Sequence, residues 1–264
     1  MINIDLHTHT TFCDGENTPE EMVLAAIEKG MPVIGFSGHS YTFYDESYCM
    51  TREKTAQYRG EIARLKDAYA GRIRIFCGIE QDYYSDMPTE GYDYVIGSVH
   101  YLKFGDAYIP MDEGNDVLED GAERFCGGDM LGLLEEYYRT VASVVEKTRC
   151  DIIGHFDLPV KYFGPEQAAW TRSSRCRAAW KKAADCLLRS GVPFEINTGA
   201  MLRSGRMEQY PSDEILEYLG ERGAKVVLSG DAHSCEGLCH AFPEMEEICR
   251  RYGLTPVIPE FVRF

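Results

Sequence analysis

The sequence predicts a barrel-like α/β fold in a single domain, and three observations carry this prediction. Short apolar runs typical of strands alternate with helix-like segments along all 264 residues, as in chains built from successive βα units. No shift in composition marks a boundary, so we expect one domain over residues 1–264. Most of the apolar runs end in histidine, aspartate or glutamate, and βα barrels carry their functional groups at that end of the strands.

The strands are predicted from runs that are short, apolar and bounded by turn residues. The first run opens the stretch 2–15 and ends in His7 and His9. The other six lie at residues 33–39, 73–80, 94–100, 151–157, 192–198 and 225–233. These seven βα units favour one barrel over two smaller domains.

The helices fill the intervals between these runs. The first begins at Thr18, which is a suitable N-cap because a proline and two glutamates follow it, and it should end near Gly30. Further helices are predicted at about 52–69, 131–148, 172–189, 212–222 and 243–252. An irregular insertion is expected at about 103–130, a segment rich in Gly, Asp and Glu without clear periodicity. Such a long loop is either a functional lid or wall, or an inert insertion.

Composition restricts the possible partners and the compartment. The net charge of −16 argues against a long grip on nucleic acid, because that needs a basic stripe. No apolar run reaches about 18 residues, so no membrane span is expected. The N-terminus lacks a basic and apolar leader, and the ten cysteines form no CxxC pair. These features predict a cytoplasmic protein with reduced thiols.

The histidines and acidic residues at the strand ends predict a metal centre. His7 and His9 project to the same side of an extended strand because side chains alternate there, and imidazole is the commonest metal ligand. A lone histidine is more often a hydrogen-bonded core residue, but six of the chain's seven histidines belong to this set. The candidate ligands are His7, His9, Asp14, His39, Glu80, His100, His155, Asp231 and His233.

These donor atoms also limit the number and the identity of the metal ions. Nine candidates are too many for one tetrahedral ion, and a carboxylate can bridge two ions. Imidazole with carboxylate suits zinc, manganese or iron better than magnesium. The absence of cysteine from the set argues against a structural zinc site. We therefore expect two or three divalent ions.

The candidate ligands and the residues around them resemble the motifs of the polymerase-and-histidinol-phosphatase (PHP) superfamily. The matching segments, in chain order, are Asp5–His9 with Asp14-Gly15, Gly35–His39, Gly78–Glu80, Ile96–His100, Ile153–Asp157 and Ser229–His233. The resemblance implies a distorted (β/α)7 TIM-like barrel with a trinuclear centre at the carboxyl ends of the strands. It spans almost the whole chain. The one departure is Asp14, where some relatives carry histidine.

The resemblance also implies how the ligands divide among three ions. The first ion would be held by His7, His9, Glu80 and Asp231. The second would be held by Glu80, His100 and His155. The third would be held by Asp14, His39 and His233. Glu80 would thus bridge two ions and is counted among the catalytic residues.

Within the superfamily the chain is most similar to stand-alone histidinol-phosphate phosphatases. The local cues are Gly97–Leu102 followed by Ile109–Glu113, and Glu195–Thr198 leading to Arg203. The resemblance implies hydrolysis of a small phosphomonoester, with L-histidinol phosphate of histidine biosynthesis as the first choice. No polymerase region accompanies the match.

Several residues are candidates for contact with such a substrate. Arg203 is the first choice for a phosphate clamp, because guanidinium can bind two oxygens at once. Arg206 and Lys161 are weaker candidates for the same task. Asp157, or a water on the metal, would give a proton to the leaving oxygen. An acidic and aromatic wall for the amine and imidazole could come from Tyr101, Asp112, Glu113 and Phe156.

Other functions stay open on the sequence alone. A PHP phosphoesterase could act on nucleotides, oligonucleotide ends or sugar phosphates with the same metal site. A metal-dependent amidohydrolase also uses a His-x-His strand, and a barrel could bind metal without catalysis. The expected partner is a small phosphorylated substrate, and the expected assembly is a monomer or homodimer.

Overall fold

A computed structural model describes residues 2–262 of the chain. Its main sheet has eight strands in the order β1-β2-β3-β4-β7-β8-β9-β10, and every neighbouring pair is parallel. These strands are β1 (Ile4–Asp5), β2 (Val33–Phe36), β3 (Arg74–Asp82), β4 (Tyr94–Ser98), β7 (Ile152–Ile153), β8 (Phe194–Asn197), β9 (Lys225–Ser229) and β10 (Thr255–Pro256). The predicted α/β barrel is confirmed. The seven predicted strands all occur, and β10 is an additional short one.

Helices cover the sheet between successive strands. They are α1 (Pro19–Glu28), α2 (Arg52–Ala68), α3 (Asn115–Cys126), α4 (Met130–Val141), α5 (Val144–Thr148), α6 (Ala168–Thr171), α7 (Ser174–Leu188), α8 (Gly199–Arg203), α9 (Asp213–Glu221) and α10 (Phe242–Tyr252). Short 3-10 helices span Leu158–Tyr162, Cys235–Gly237 and Glu260–Val262. The start of α1 agrees with its sequence. The Glu21 amide donates to the Thr18 hydroxyl over 3.3 Å, and the Thr18 amide donates to the Glu21 carboxylate over 2.7 Å, which forms a capping box.

The chain after β1 and the chain after β9 meet at the carboxyl end of the barrel and close it there. Thr8, just after β1, forms an isolated parallel bridge with Ala232, just after β9. The Ala232 amide donates to the His7 carbonyl over 3.0 Å, and the His9 amide donates to the Ala232 carbonyl over 2.8 Å. At the other end β9 pairs with β10. The sheet is therefore joined where the predicted ligands lie.

The amino end of the barrel is filled by apolar side chains. Tyr94 is almost fully buried there among aliphatic residues such as Ile4 and Ile152. Its ring stacks on Phe261 with 5.1 Å between the ring centroids. The Arg74 guanidinium donates to the Val262 carbonyl over 2.7 Å, which fixes the 3-10 turn against the strands. This packing closes the amino end of the barrel, whereas the candidate ligands lie at the carboxyl end.

The segment 103–130 is more regular than the sequence prediction. An antiparallel hairpin is formed by β5 (Tyr101–Phe104) and β6 (Ala107–Pro110), and it turns at Gly105 with a φ of 61°. Helix α3 follows and packs Leu118 and Ala122 into the core. The segment thus contains a hairpin and a helix where the sequence prediction expected an irregular insertion, because strands of four residues are too short to show a period.

None of the helices within residues 2–262 is both long enough and apolar enough to cross a membrane.

Candidate metal centre

Glu80 lies at the centre of the clustered side chains. It is in β3 and is 1% exposed. Its Oε2 atom is 2.8 Å from His39 Nδ1, 3.3 Å from His7 Nε2 and 3.6 Å from His9 Nε2. Its Oε1 atom is 3.1 Å from His155 Nε2 and 3.3 Å from His100 Nε2. One carboxylate therefore contacts the imidazoles that follow four different strands.

The Thr8–Ala232 bridge also aligns the side chains that flank it. These are His7 and His9 on one side and Asp231 and His233 on the other. Asp231 Oδ1 is 3.1 Å from His9 Nε2, 3.5 Å from His7 Nε2 and 3.6 Å from His233 Nδ1. The rings of His9 and His233 stack with centroids 4.1 Å apart. Since Thr8 and Ala232 pair with each other, the residues that flank them on the same face must meet.

Asp14 joins this cluster from the loop after β1. Its Oδ2 atom is 3.1 Å from His233 Nε2, and its Oδ1 atom is 3.5 Å from His39 Nε2 and 3.7 Å from His9 Nδ1. The Asp14 side chain is 24% exposed, whereas the His9 side chain is fully buried. All nine candidate ligands thus lie in one cluster, with Asp14 at its outer edge.

The spacing of these atoms suits metal ions. Two ligand atoms about 2.0–2.2 Å from one tetrahedral ion lie about 3.3–3.6 Å apart, which is close to the distances above. Within residues 2–262, six buried atoms of the candidate ligands have no hydrogen-bond partner: His7 Nε2, His9 Nε2, Asp14 Oδ1, His39 Nδ1, Glu80 Oε2 and His155 Nδ1. Such groups are costly to bury unless something binds them. Three overlapping sets could each hold an ion: His9 with Asp14, His39 and His233; His7 with His9 and Glu80; and His39 with Glu80 and His100.

The electrostatics of the cluster also favour metal binding. Burial lowers the pKa of His9 to about 3, and the nearby imidazoles of His233 and His39 act in the same direction. His9 is therefore neutral at pH 7, the form that binds metal. Burial also lowers the pKa of His39, but the carboxylates of Glu80 and Asp14 raise it to about 9. A protonated imidazole thus balances the buried carboxylates, and a divalent cation can supply the same positive charge.

Two carboxylates that the sequence prediction missed contact the outer nitrogens of two of the histidines, His7 and His100. Glu195 Oε2 in β8 is 2.8 Å from His7 Nδ1, and Asp82 Oδ2 at the end of β3 is 3.2 Å from His100 Nδ1. Ligating histidines usually donate their other N–H in this way. Asp82 could have been found from its i, i+2 spacing to Glu80, and Glu195 from its place inside an apolar strand.

The backbone at Asp231 is strained. Its φ of 44° lies in the left-handed region, which is rare for residues other than glycine. Asn197 Nδ2 donates to Asp231 Oδ2 over 3.2 Å. A Cβ atom on Gly199 would lie 2.7 Å from Asp231 Cβ, so glycine is needed at this position. Strain of this kind is common where a functional side chain is held in place.

A cavity of about 450 Å³ opens beside the cluster and shares several of its residues. Arg203 lines it, with Nη1 2.9 Å from His233 Nε2 and Nη2 3.9 Å from Asp14 Oδ2. Lys161 also lines it, and its Nζ donates to Asp112 Oδ2 over 2.8 Å. The remaining wall includes the candidates Tyr101 and Glu113, together with Ser47, Tyr48, Tyr162 and Tyr210.

Three of the predicted contact residues lie outside this cavity. Phe156 is buried in the core against Tyr138 and Phe194. Asp157 is fully buried, and its Oδ2 atom accepts hydrogen bonds from the Ser212 hydroxyl and, over 3.0 Å, from the Ser212 amide. These placements do not support Phe156 as part of the wall or Asp157 as the proton donor.

Arg206 is the third residue outside the cavity. Its Nη1 donates to the Val160 carbonyl over 2.5 Å, and its guanidinium lies over the Tyr210 ring at 5.1 Å. Both Arg206 and Asp157 line a separate space of about 740 Å³. Asp157 is held there by Ser212, and Arg206 is held by the Val160 carbonyl, although Lys161 and Tyr162 of the 3-10 turn after Asp157 line the first cavity. Contact of Arg206 with the substrate is therefore not supported.

Comparison with known proteins gives one family and several relatives. The PHP domain model matches residues 5–199. The chain is 29% identical over 242 residues to a protein of Deinococcus radiodurans named probable histidinol-phosphatase, covering 87% of this chain and 85% of that protein. It is 28% identical over 253 residues to a protein of Schizosaccharomyces pombe with the same name, covering 87% and 80%.

A solved structure supports the fold. The chain is similar to histidinol phosphate phosphatase from Lactococcus lactis, which was crystallised with zinc, L-histidinol and phosphate. The TM-score is 0.71 at 19% sequence identity, and the match covers 98% of this chain and 96% of that one. The distorted barrel described above is thus shared with that protein.

Proposed function

The chain belongs to the PHP domain family, and we propose that it is a metal-dependent phosphatase that converts L-histidinol phosphate to L-histidinol and phosphate in histidine biosynthesis. The observation that carries the proposal is the cluster around Glu80. Its buried ligand atoms have the spacing of a multinuclear centre, and they adjoin a cavity bordered by Arg203. The names of the two relatives that match most of the chain point to the same substrate.

The centre takes two or three divalent ions, which would be zinc, manganese or iron. His7, His9, Glu80 and Asp231 would hold the first, Glu80, His100 and His155 the second, and Asp14, His39 and His233 the third. Ions bound there would supply a nucleophilic water near neutral pH and neutralise charge on the phosphate. The close approach of Asp14 to His233 and His39 supports a complete third set.

Arg203 is the phosphate clamp in this proposal. Its side chain is 39% exposed at the cavity and lies against Asp14 and His233. The guanidinium can therefore turn from the His233 ring toward a phosphate oxygen without leaving the edge of the cluster. A planar fork of N–H donors recognises two oxygens of one phosphate, and it stabilises the charge that develops during transfer.

The acidic and aromatic part of the cavity lining suits a cationic, flat leaving group. Burial raises the pKa of Glu113, and the nearby carboxylates of Asp112 and Asp45 act in the same direction. A positively charged amine would relieve this repulsion. Tyr48 and Tyr101 offer ring faces beside these carboxylates. Histidinol phosphate has both features, because an amine and an imidazole accompany its phosphate.

The test is a phosphate-release assay on purified, zinc- or manganese-loaded protein. We expect kcat/KM for L-histidinol phosphate to exceed the values for mononucleotides, sugar phosphates and 3′-phosphorylated oligonucleotides by at least an order of magnitude. Removal of metal by a chelator should abolish the activity, and restoring the ion should recover it. Preferred turnover of a nucleotide or sugar phosphate would reject the substrate while keeping the metal centre. Activity that persists in demonstrably metal-free protein would reject the mechanism.

A further inference from the structure

His100 is held from both sides by carboxylates. Its Nε2 atom lies 3.3 Å from Glu80 Oε1 inside the cluster. Its Nδ1 atom lies 3.2 Å from Asp82 Oδ2, and its backbone amide donates to the same oxygen over 3.3 Å. When an ion occupies the cluster, Nε2 carries no proton, so the one proton of the ring is on Nδ1, which donates it to the Asp82 carboxylate. The lone pair of Nε2 is then directed into the cluster.

Asp82 is itself fixed by its surroundings. The residue is 2% exposed, and its amide donates to the Ser40 hydroxyl over 3.0 Å. Its second oxygen, Oδ1, accepts from the Tyr84 amide over 2.7 Å and from the Tyr44 hydroxyl. These donors prevent the carboxylate from rotating away from His100. The hydroxyl of Tyr44 is a side-chain donor to this carboxylate, and it comes from the loop between β2 and α2.

Tyr44 belongs to an aromatic cluster on the outer side of the cavity. Its ring stacks on Tyr108 of β6 with centroids 3.9 Å apart and planes inclined by 5°, and it meets Tyr101 edge-on at 5.0 Å. Tyr101 donates to Asp45 of the same loop. Tyr48, also on this loop, contacts the His39 ring edge-on at 4.9 Å. The loop therefore forms the cavity wall and reaches the support of a ligand.

We propose that Asp82 and Tyr44 are positioning residues for His100, and that together they couple the aromatic wall of the cavity to the metal centre. Asp82 selects the tautomer and the orientation of the imidazole. Tyr44 holds Asp82 and is itself held by the stack on Tyr108. The inference rests on the metal centre of the proposed function and is independent of the identity of the substrate.

The first test compares two substitutions that each remove a single hydroxyl from the same loop. Tyr44→Phe removes the bond to Asp82, whereas Tyr41→Phe removes an exposed bond to Glu46 over 2.7 Å and is the matched control. Zinc affinity is measured by competition with a chromophoric chelator, and bound zinc is counted after gel filtration. We expect Tyr44→Phe to weaken binding of at least one ion by about 3–10-fold, below the usual cost of losing a direct outer contact. Tyr41→Phe should bind zinc as the wild type does.

Asp82→Asn provides the stronger perturbation. An amide presents a donor on one side, so it must face a donor of either His100 or the Tyr44 and Tyr84 pair. We expect zinc affinity to fall by about 10–100-fold, the range found for lost outer carboxylates of ligating histidines. The thermal midpoint of the metal-free protein is recorded for each variant, so that a loss of fold is recognised. If Asp82→Asn does not fold, the zinc affinity of Tyr44→Phe still tests the positioning role.

The outcomes separate the two proposals. Zinc affinity lowered by Tyr44→Phe and Asp82→Asn but unchanged by Tyr41→Phe supports the positioning role. Wild-type affinity in both Tyr44→Phe and Asp82→Asn overturns it, and equal losses in Tyr44→Phe and Tyr41→Phe overturn the role of Tyr44. A protein that binds zinc in the expected pattern but does not hydrolyse histidinol phosphate would refute only the proposed substrate.

Discussion

Glu195→Gln tests whether metal binding depends on the orientation of His7 when all nine candidate ligands are kept. The substitution keeps the size of a side chain that is 1% exposed, and it leaves all nine candidate ligands in place. Glu195 Oε2 accepts from His7 Nδ1 over 2.8 Å. Its Oε1 atom accepts from the His155 amide over 2.5 Å and from Asn197 Nδ2 over 2.9 Å. Glutamine cannot accept on both sides, so one donor must lose its partner.

The magnitude follows from these contacts. If the amide nitrogen faces His7, the imidazole must place its proton on Nε2, the atom that is directed at Glu80 and Asp231. A lost hydrogen bond to a charged group costs about 1.5–3 kcal/mol. Lost outer contacts of ligating histidines lower metal affinity or activity by about 10–100-fold, or about 1.4–2.7 kcal/mol. Both estimates predict a fall of that order in zinc affinity, accompanied by a fall in kcat/KM.

The assay is the zinc competition titration together with phosphate release at saturating zinc. Glu61→Gln is the control, because Glu61 forms only a solvent-exposed pair with Arg64 on α2, and such pairs contribute little. If Glu195→Gln binds zinc and turns over substrate as Glu61→Gln does, the orientation of His7 by Glu195 is not needed. If zinc at saturation restores full activity, Glu195 acts on affinity alone.

Three further substitutions test the remaining assignments. His9→Ala should remove nearly all phosphatase activity and lower the zinc content while circular dichroism stays native, and substantial residual activity would exclude His9 as a ligand. Arg203→Ala should raise KM for phosphomonoesters and lower kcat without changing zinc content; kinetics equal to wild type would refute the clamp. Asp157→Asn should retain activity within about threefold but lower the free energy of unfolding by about 1–3 kcal/mol, because it weakens the buried contact with Ser212. A large loss of kcat at native stability would restore Asp157 as a proton donor.

The strands and the ligand cluster could be predicted from the sequence because both depend on local pattern. Apolar runs that end in His, Asp or Glu mark the carboxyl ends of parallel strands, and such ends lie together in a barrel. The His7 and His9 pair and the Asp231 and His233 pair also share a face through their i, i+2 spacing. The register of these two strands thus brings together four of the nine candidate ligands.

The roles of Asp82 and Asp157 could not be predicted in this way, because they depend on the path of the backbone near the end of each strand. Asp157 follows His155 by two residues, as Asp82 follows Glu80, yet their surroundings differ. Asp82 is still inside β3, where alternation holds. Asp157 precedes a 3-10 turn, so its side chain contacts Ser212 instead of the cluster. Sequence patterns do not specify where a strand ends and how the backbone continues. This path determines whether the side chain at i+2 contacts the cluster or another part of the chain.

Closure of the barrel and assembly of the metal centre are the same structural event. Along the seam between β1 and β9 the backbones meet in a single bridge between Thr8 and Ala232. The side chains that flank this bridge, His7 and His9 on one strand and Asp231 on the other, converge within 3.1–3.5 Å. An ion held by these three would link the first and last strands of the ring where few backbone hydrogen bonds do so. Since ligand binding to the folded state alone adds to its stability, the same ion would serve catalysis and hold the barrel closed.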